Sequence, residues 1–434
     1  LLAGGLQLNL DKTNFNNVRT SNISLVMKHV LMSDAPISRA DISKKTGLTR
    51  ATISSLVADL IDLKFLEEVG ESSTKSVGKK AVLLRVRIDT VFTISVEFYS
   101  SKIYVAKENL LGMPESKHYA KVSPDATEEE ICSKLFSMID DLMAEMSAVG
   151  QICYGIGLAA PSPIKGNAMQ YSIHFAALCG IDLITRLQAR YSCRISVLNN
   201  ADAAALAESR YGKHVNCDCL VYLWVEQGVG CGVVKNSELV VGRNHVSTEF
   251  GHSTVKLDSE VTCFCGKKGC LCSYGSDRAL ARLLRESSLT QDLVAGSRDV
   301  PVINYIELEH QYTHSFREMQ ETLAAYLDEV AHYFGASTAN LINIIVPDII
   351  VVQGELFHLP RFFDTFKRYC EHYTHPIYNG SCIITDSSVG KDAVLIGASV
   401  QLLDELYSNP YCISGFYTSE RALLLEMAAI TSEV

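Results

Sequence analysis

At 434 residues, with a net charge of −10 and 20% charged side chains, the chain has room for two or three domains that each bury a core. That excludes a small stapled scaffold and, with so ordinary a charge balance, a protein that coats nucleic acid along its whole length. No uninterrupted apolar run approaches the roughly 20 residues of a bilayer span, and the start Leu1 to Leu6 lacks the basic lead of a secretory signal. The fourteen cysteines are scattered apart from one cluster, so a reduced, cytoplasmic protein that avoids membranes is expected.

Charge is uneven along the chain. Residues 1–90 hold 13 Lys and Arg against 9 Asp and Glu, a balance of +4 that leaves −14 for the remainder (−10 minus +4) and predicts a basic arm on an acidic body. From Asn16 to about Leu31, Val18, Ile23, Val26, Met27 and Val30 recur at helical spacing. Pro36 ends this helix, Ser38 caps a short one from Arg39 to Thr46, and Gly47 closes that. Thr49 caps a third, from Arg50 to about Phe65, with Ile53, Leu56, Val57, Leu60 and Leu63 as its buried stripe. Leu66 to Val69 and Ala81 to Val86 read as strands joined by the polar loop Gly70 to Lys80.

The arrangement predicts a winged helix-turn-helix over residues 14–89. Ser38, Arg39, Thr49, Arg50, Thr52, Ser54 and Ser55 supply short hydrogen-bonding groups and forked cations, the chemistry a major groove requires. Lys75, Lys79 and Lys80 place cations on the wing for phosphates. The run from Ile37 to Ser54 resembles the winged-helix start of regulators in the ROK family, named for repressors, open reading frames and kinases. Those regulators carry Gly-Arg-Pro in the wing, where Gly78-Lys79-Lys80 keeps the glycine and the positive charge and loses the proline. Kinases of the family lack this arm.

Beyond Val91 strands alternate with helices, an α/β pattern. Strands are expected at Phe92 to Phe98, Lys102 to Val105, Cys153 to Leu158, Ile195 to Leu198, Leu220 to Trp224 and within Pro347 to Glu355. Helices are expected at Thr127 to about Met146, Leu183 to Tyr191, Asp202 to Tyr211, Asp277 to about Ser287 and Phe316 to Asn343, with a closing helix from Asp392. The resemblance, which covers nearly all of residues 18–402, implies the actin-like, ribonuclease-H-like, two-lobed sugar-kinase fold. The lobes would be residues 90–198 with 387–402, and residues 199–386, followed by a tail, 403–434, with an amphipathic stretch at Glu420 to Ile430.

The resemblance also says where kinase chemistry would sit. The family's phosphate hairpin reads Asp-x-Gly-Gly-Thr; here Ser95 to Ser100 contains no glycine and places Glu97, Phe98 and Tyr99 at the site. The family's catalytic base is an aspartate, and its position here is Asn200, an amide that cannot take a proton. The second phosphate loop keeps Gly228, Gly230 and Gly232 but gains Glu226. ATP binding and catalysis are therefore not expected.

The run from Glu249 to Cys272 reads as a metal knot. His252, Cys263, Cys265 and Cys270 are four ligands suited to tetrahedral zinc, and Gly266 and Gly269 let the chain turn around the ion. Four protein ligands leave no position for a metal-bound water, so the metal would be structural. The Glu-Phe-Gly-His start and the cysteine spacing are again similar to the ROK signature. Carried over, Glu249 and His252 contact a sugar, with Asn199 and Asn200 bracketing hydroxyls. Cys272 replaces a glutamate of the family's sugar site, and Ser247-Thr248 replaces the usual Ala-Gly.

The expected protein is a regulator, a repressor of carbohydrate genes that binds an operator as a homodimer or dimer of dimers. A monosaccharide or sugar phosphate would be the effector in a non-catalytic cleft. Two other readings stay open: an active sugar kinase with a DNA-binding arm, and a DNA-binding scaffold that takes no ligand.

Overall fold

The computed structural model describes residues 15–33, 35–71, 80–123, 125–172, 174–215, 217–242, 248–297, 300–378 and 380–413. Lys75, Lys79, Gly78, Ser247 and the stretch Glu420 to Ile430 lie outside them.

The arm comprises α1 (Phe15–Leu31), β1 (Ile37–Ser38), α2 (Arg39–Thr46), α3 (Arg50–Asp62), β2 (Leu66–Glu71) and β3 (Val82–Val86), with its sheet in the order β1-β3-β2. The caps form as the sequence predicts. The Ser38 hydroxyl accepts from the Asp41 N–H at 3.2 Å, Gly47 adopts φ 73°, and the Thr49 hydroxyl accepts from the Thr52 N–H at 3.2 Å. Two expectations shift. α3 stops at Asp62, because Lys64 turns at φ 63° and drops Phe65 into the core, where its N–H reaches the Leu60 carbonyl. Val18 was expected on the buried face and is 48% exposed.

The first lobe opens with β4 (Val91–Tyr99) and β5 (Lys102–Asn109), joined through Ser100 and Ser101 at φ 44° and 60°. β6 (Pro114–Lys121), α4 (Glu128–Ala148), β7 (Ile152–Ala160), β8 (Ile164–Lys165), β9 (Ala168–Met169), α5 (Leu183–Arg190) and β10 (Arg194–Asn199) complete it. Its sheet runs β10-β7-β4-β5-β6, parallel from β10 to β4 and antiparallel beyond. β6 has no apolar alternation to announce it. It is an edge strand, where charged side chains guard the unpaired side.

The second lobe holds α6 (Asn200–Tyr211), β11 (Cys219–Val225), β12 (Val229–Lys235), β13 (Glu238–Leu239), α7 (Asp277–Leu284), β14 (Val294–Gly296) and β15 (Pro301–Ile303). It continues with α8 (Tyr305–His314), α9 (Arg317–Ile345), β16 (Ile349–Gln353), α10 (Phe362–Tyr373) and β17 (Ile383–Asp386), before the closing α11 (Ala393–Ser408). The second sheet runs β13-β12-β11-β16-β17. No described helix is long and apolar enough to cross a membrane.

α6 and α11 cross in close contact between the sheets. A Cβ on Gly397 would lie 1.7 Å from the Ala203 carbonyl oxygen, and one on Gly157 of β7 2.1 Å from that of Ala398. Backbone approach this close tolerates only glycine. Glu208, 1% exposed at the far end of α6, accepts from the Ser387 hydroxyl at 2.8 Å and from the Ser388 and Val389 N–H groups at 3.1 and 3.2 Å. It thereby pins the loop that enters α11. Glu208→Ala would remove the acceptor these half-buried donors share, and urea melts are expected to show a loss of about 1–3 kcal/mol.

α11 continues through the expected lobe end at 402 to Ser408, so that boundary falls inside a helix. The reason is packing. Leu402, Leu403, Leu406 and Tyr407 share one buried cluster with Ile23, Met27 and Leu56 of the arm, and Ile413 joins them. The following Tyr411 accepts from Arg19 Nε at 2.8 Å and donates to Asp59 of α3, to which Arg19 Nε also donates at 3.1 Å.

Candidate functional site

The knot assembles as a tetrahedron. The Cys263 Sγ lies 3.6 Å from His252 Nδ1, the Cys265 and Cys270 sulfurs are 3.7 Å apart, and all four ligand atoms fall within 4.8 Å of one another. A zinc ion with Zn–S of about 2.3 Å and Zn–N of about 2.0 Å has tetrahedron edges of about 3.8 Å between sulfurs and about 3.6 Å from sulfur to nitrogen. Two of the six edges match these lengths, and the donor set suits zinc. Gly266 and Gly269 sit at φ 86° and 78°, and a Cβ on Gly269 would meet the Lys256 carbonyl at 2.1 Å. Cys272 is left out of the tetrahedron. Its buried sulfur accepts from the Val229 N–H at 3.3 Å and lines the adjacent cleft.

His252 joins the knot to that cleft. With Nδ1 facing the thiols, Nε2 lies 3.1 Å from the Tyr171 hydroxyl, which is 3.0 Å from Glu249 Oε2. Nε2–H donates to the tyrosine oxygen and the tyrosine donates to the carboxylate, so one orientation runs from metal ligand to Glu249. Burial, then the Glu249 charge, holds the Tyr171 hydroxyl firmly protonated. Phe264 packs on both rings, with centroids 5.0 Å from His252 and 5.9 Å from Tyr171. Tyr171 belongs to the first lobe and escaped the sequence reading, since an isolated tyrosine in a loop carries no periodic signal.

The cleft has a volume of about 330 Å³, within the range of small-molecule sites. Glu249, His252, Asn199 and Asn200 all line it, but the asparagines differ in role. Asn199 is occupied by structure: its Oδ1 caps α6 by accepting from the Ala201 N–H at 2.8 Å, and its Nδ2 donates to the Ser162 carbonyl at 3.0 Å. One Nδ2 hydrogen and one Oδ1 lone pair remain for a hydroxyl. Asn200, 5% exposed, donates through Nδ2 to the Phe98 carbonyl at 3.1 Å and leaves Oδ1 buried without a protein partner. A buried orphan acceptor on a cleft wall is costly unless a ligand satisfies it.

The kinase-like positions are also rearranged. Phe98 turns away into the core against Phe175, 5.1 Å between centroids, and Glu97 is buried on the opposite strand face, its carboxyl pushed up to about 8 by desolvation. Neither lines the cleft, which corrects the expectation that they occupy the place of a phosphate. Tyr99 does line it. Its hydroxyl donates across the lobes to Glu226 Oε1 at 2.6 Å, and its ring stacks on Trp224 at 5.7 Å.

On the arm the ten expected DNA contacts divide. Arg50 and Ser54 project into solvent at the start of α3, and Lys80 is exposed beside the wing. Thr49 is exposed while serving as a cap, and its hydroxyl shares a 2.9 Å hydrogen bond with that of Thr52. Ser38 is 5% exposed and consumed by its capping bonds, which corrects its assignment to the surface face. Arg39 pairs with Glu68 at 2.8 Å, and Ser55 accepts from Arg19 at 3.1 Å.

Two lobes around a sugar-sized cleft, with a winged arm packed on the closing helix, define a sugar-kinase-like body carrying a regulator's arm. The chain belongs to the ROK family, whose profile matches residues 94–405. It is 27% identical over 386 residues to a xylose repressor of Bacillus spizizenii, covering 88% of this chain and 94% of the relative. A glucokinase of Thermotoga maritima is 26% identical over 294 residues, covering 66% and 90%. Among solved structures, a ROK family transcriptional regulator, homolog of the E. coli MLC protein, aligns with a TM-score of 0.74 at 20% identity, covering 90% of this chain and 97% of that one. The repressor match thus spans more of the chain than the kinase match, and the chain is a homologue of ROK repressors.

Proposed function

We propose that the protein is a sequence-specific DNA-binding regulator, a repressor of carbohydrate genes, that senses a sugar in a cleft without catalysis. The observation that carries this reading is the occupant of the base position. Asn200 cannot accept a proton, yet its Oδ1, buried at the cleft wall, lacks a protein partner and would accept from a sugar hydroxyl. Arg50 and Ser54 would read the major groove, with Lys80 and the wing on phosphates. A homodimer or dimer of dimers would match two operator half-sites. Zinc at His252, Cys263, Cys265 and Cys270 would hold the Glu249 segment rigid, and Glu249 and His252 would meet sugar hydroxyls. Xylose, from the name of the repressor relatives, is the first effector to try.

Cleft and arm share a mechanical path. α6 begins at Asn200, packs along α11, and α11 ends in the arm's core with Tyr411 on α3. A sugar that prefers one lobe angle would bias the position of α3 by that preference and no more. Selection from random duplex DNA with and without xylose tests the reading. An enriched sequence whose affinity changes with sugar is expected; failure to enrich any sequence overturns it.

The surviving Gly228, Gly230 and Gly232 favour the second reading, a kinase with a DNA-binding arm. Restoring the base alone distinguishes the two. Asn200→Asp is expected to show no sugar-dependent ATP turnover, and measurable turnover by the unaltered protein would establish the kinase.

A further inference from the structure

We infer that the cleft accepts an uncharged sugar and rejects phosphorylated ones, with the cross-lobe pair Tyr99–Glu226 as the specificity element. This rests on the sugar-sensor reading and narrows its ligand class.

Proteins bind phosphate with free backbone amides at glycine turns, with helix N-termini and with Lys or Arg. Among the described residues lining the cleft the third device is missing, and the first two are partly spent. In the glycine-bearing turn between β11 and β12, the Glu226 N–H donates to the Gly228 carbonyl at 2.9 Å and the Val229 N–H donates to the Cys272 sulfur at 3.3 Å. At the start of α7, the Asp277 N–H donates to the Glu226 carbonyl at 2.9 Å and the Arg278 N–H to the Ser276 hydroxyl at 3.2 Å. Among the described residues lining the cleft there is no Lys or Arg, whereas Glu226, Glu249, Asp277 and Glu355 are four carboxyls.

The Tyr99 hydroxyl bridges the two lobes at one wall of the cleft. It donates to Glu226 while Trp224 supports the ring, and Tyr305 donates similarly to Asp277 at 2.7 Å. Burial pushes the Glu226 and Asp277 carboxyls up to about 7 each, so both keep part of their negative charge at neutral pH. A dianion placed beside them would meet carboxyls and, among the described residues lining the cleft, no Lys or Arg. Like-charge juxtaposition of this kind disfavours binding.

The test is calorimetric titration of the full-length, zinc-loaded protein with D-xylose and D-glucose, then with xylose 5-phosphate, glucose 6-phosphate and glucose 1-phosphate. At least one neutral sugar is expected to bind, with its phosphates weaker by about 100-fold or more. A sugar phosphate that binds as tightly as its parent overturns the inference and leaves the sensor reading standing. Silence towards all five probes overturns the sensor reading and the inference with it. In Glu226→Gln, which keeps an acceptor for Tyr99 and removes the charge, the ratio of phosphate to parent-sugar Kd is expected to fall by about tenfold. An unchanged ratio overturns the assignment to Glu226.

Discussion

Cys265→Ser is expected to empty the metal site and unfold the segment from Glu249 to Cys272 ahead of the rest of the second lobe. Few alternatives hold this segment. Its regular pairing amounts to the isolated bridges Thr254 to Cys270 and Thr262 to Lys268, and two of its turns depend on glycines at positive φ. The segment nonetheless supplies Cys263, Cys270, Leu271 and Cys272 to the buried cluster beneath β11 and β12. A tetrahedral ion bound by three thiolates and an imidazole would cross-link it and add far more than these hydrogen bonds. Bound zinc after dialysis should fall by about tenfold or more, with global stability lower by roughly 3–5 kcal/mol. Amide exchange should accelerate first at residues 250–272. Cys272→Ser serves as the control, with zinc retained, because Cys272 bonds the Val229 amide instead. Undiminished zinc in Cys265→Ser would remove the assignment.

Leu406→Ala is expected to release the arm from the body. Leu406 is fully buried where α11 meets α1, and removing such a side chain costs about 2–5 kcal/mol. Because the lost contacts join the arm to the body, calorimetry should resolve a separate, earlier transition for residues 15–86. Operator binding at low temperature should survive, while its response to sugar should disappear, since α11 is the path between cleft and α3. A retained sugar response would show that coupling does not run through α11. Deleting residues 1–88 is a poorer test, because it would bare Leu402, Leu403, Leu406, Tyr407 and Ile413 to water.

Much of the fold was legible because its signals are local. Ser38, Gly47 and Thr49 cap helices through groups within three or four residues, and β4, β7 and β11 announce themselves as apolar runs. β6 and α8 carried no such signal. α10 did, in Phe362, Phe366 and Cys370 at helical spacing, and the sequence reading passed over it.

For the site, the sequence pointed to the cluster of His252 with Cys263, Cys265 and Cys270, to an amide at Asn200 and to the absence of glycine from Ser95 to Ser100. Each follows from which atoms a side chain possesses. The tertiary structure alone decided what those atoms do. It spent Asn199 on a cap, turned Phe98 and Glu97 away from the cleft, and brought Tyr171 to Glu249 and Tyr99 to Glu226 from the opposite lobe. It also set Tyr411 on Asp59, 352 residues away in the chain. Contacts between partners that far apart depend on how two sheets and two crossing helices pack, and no local pattern of residues records that.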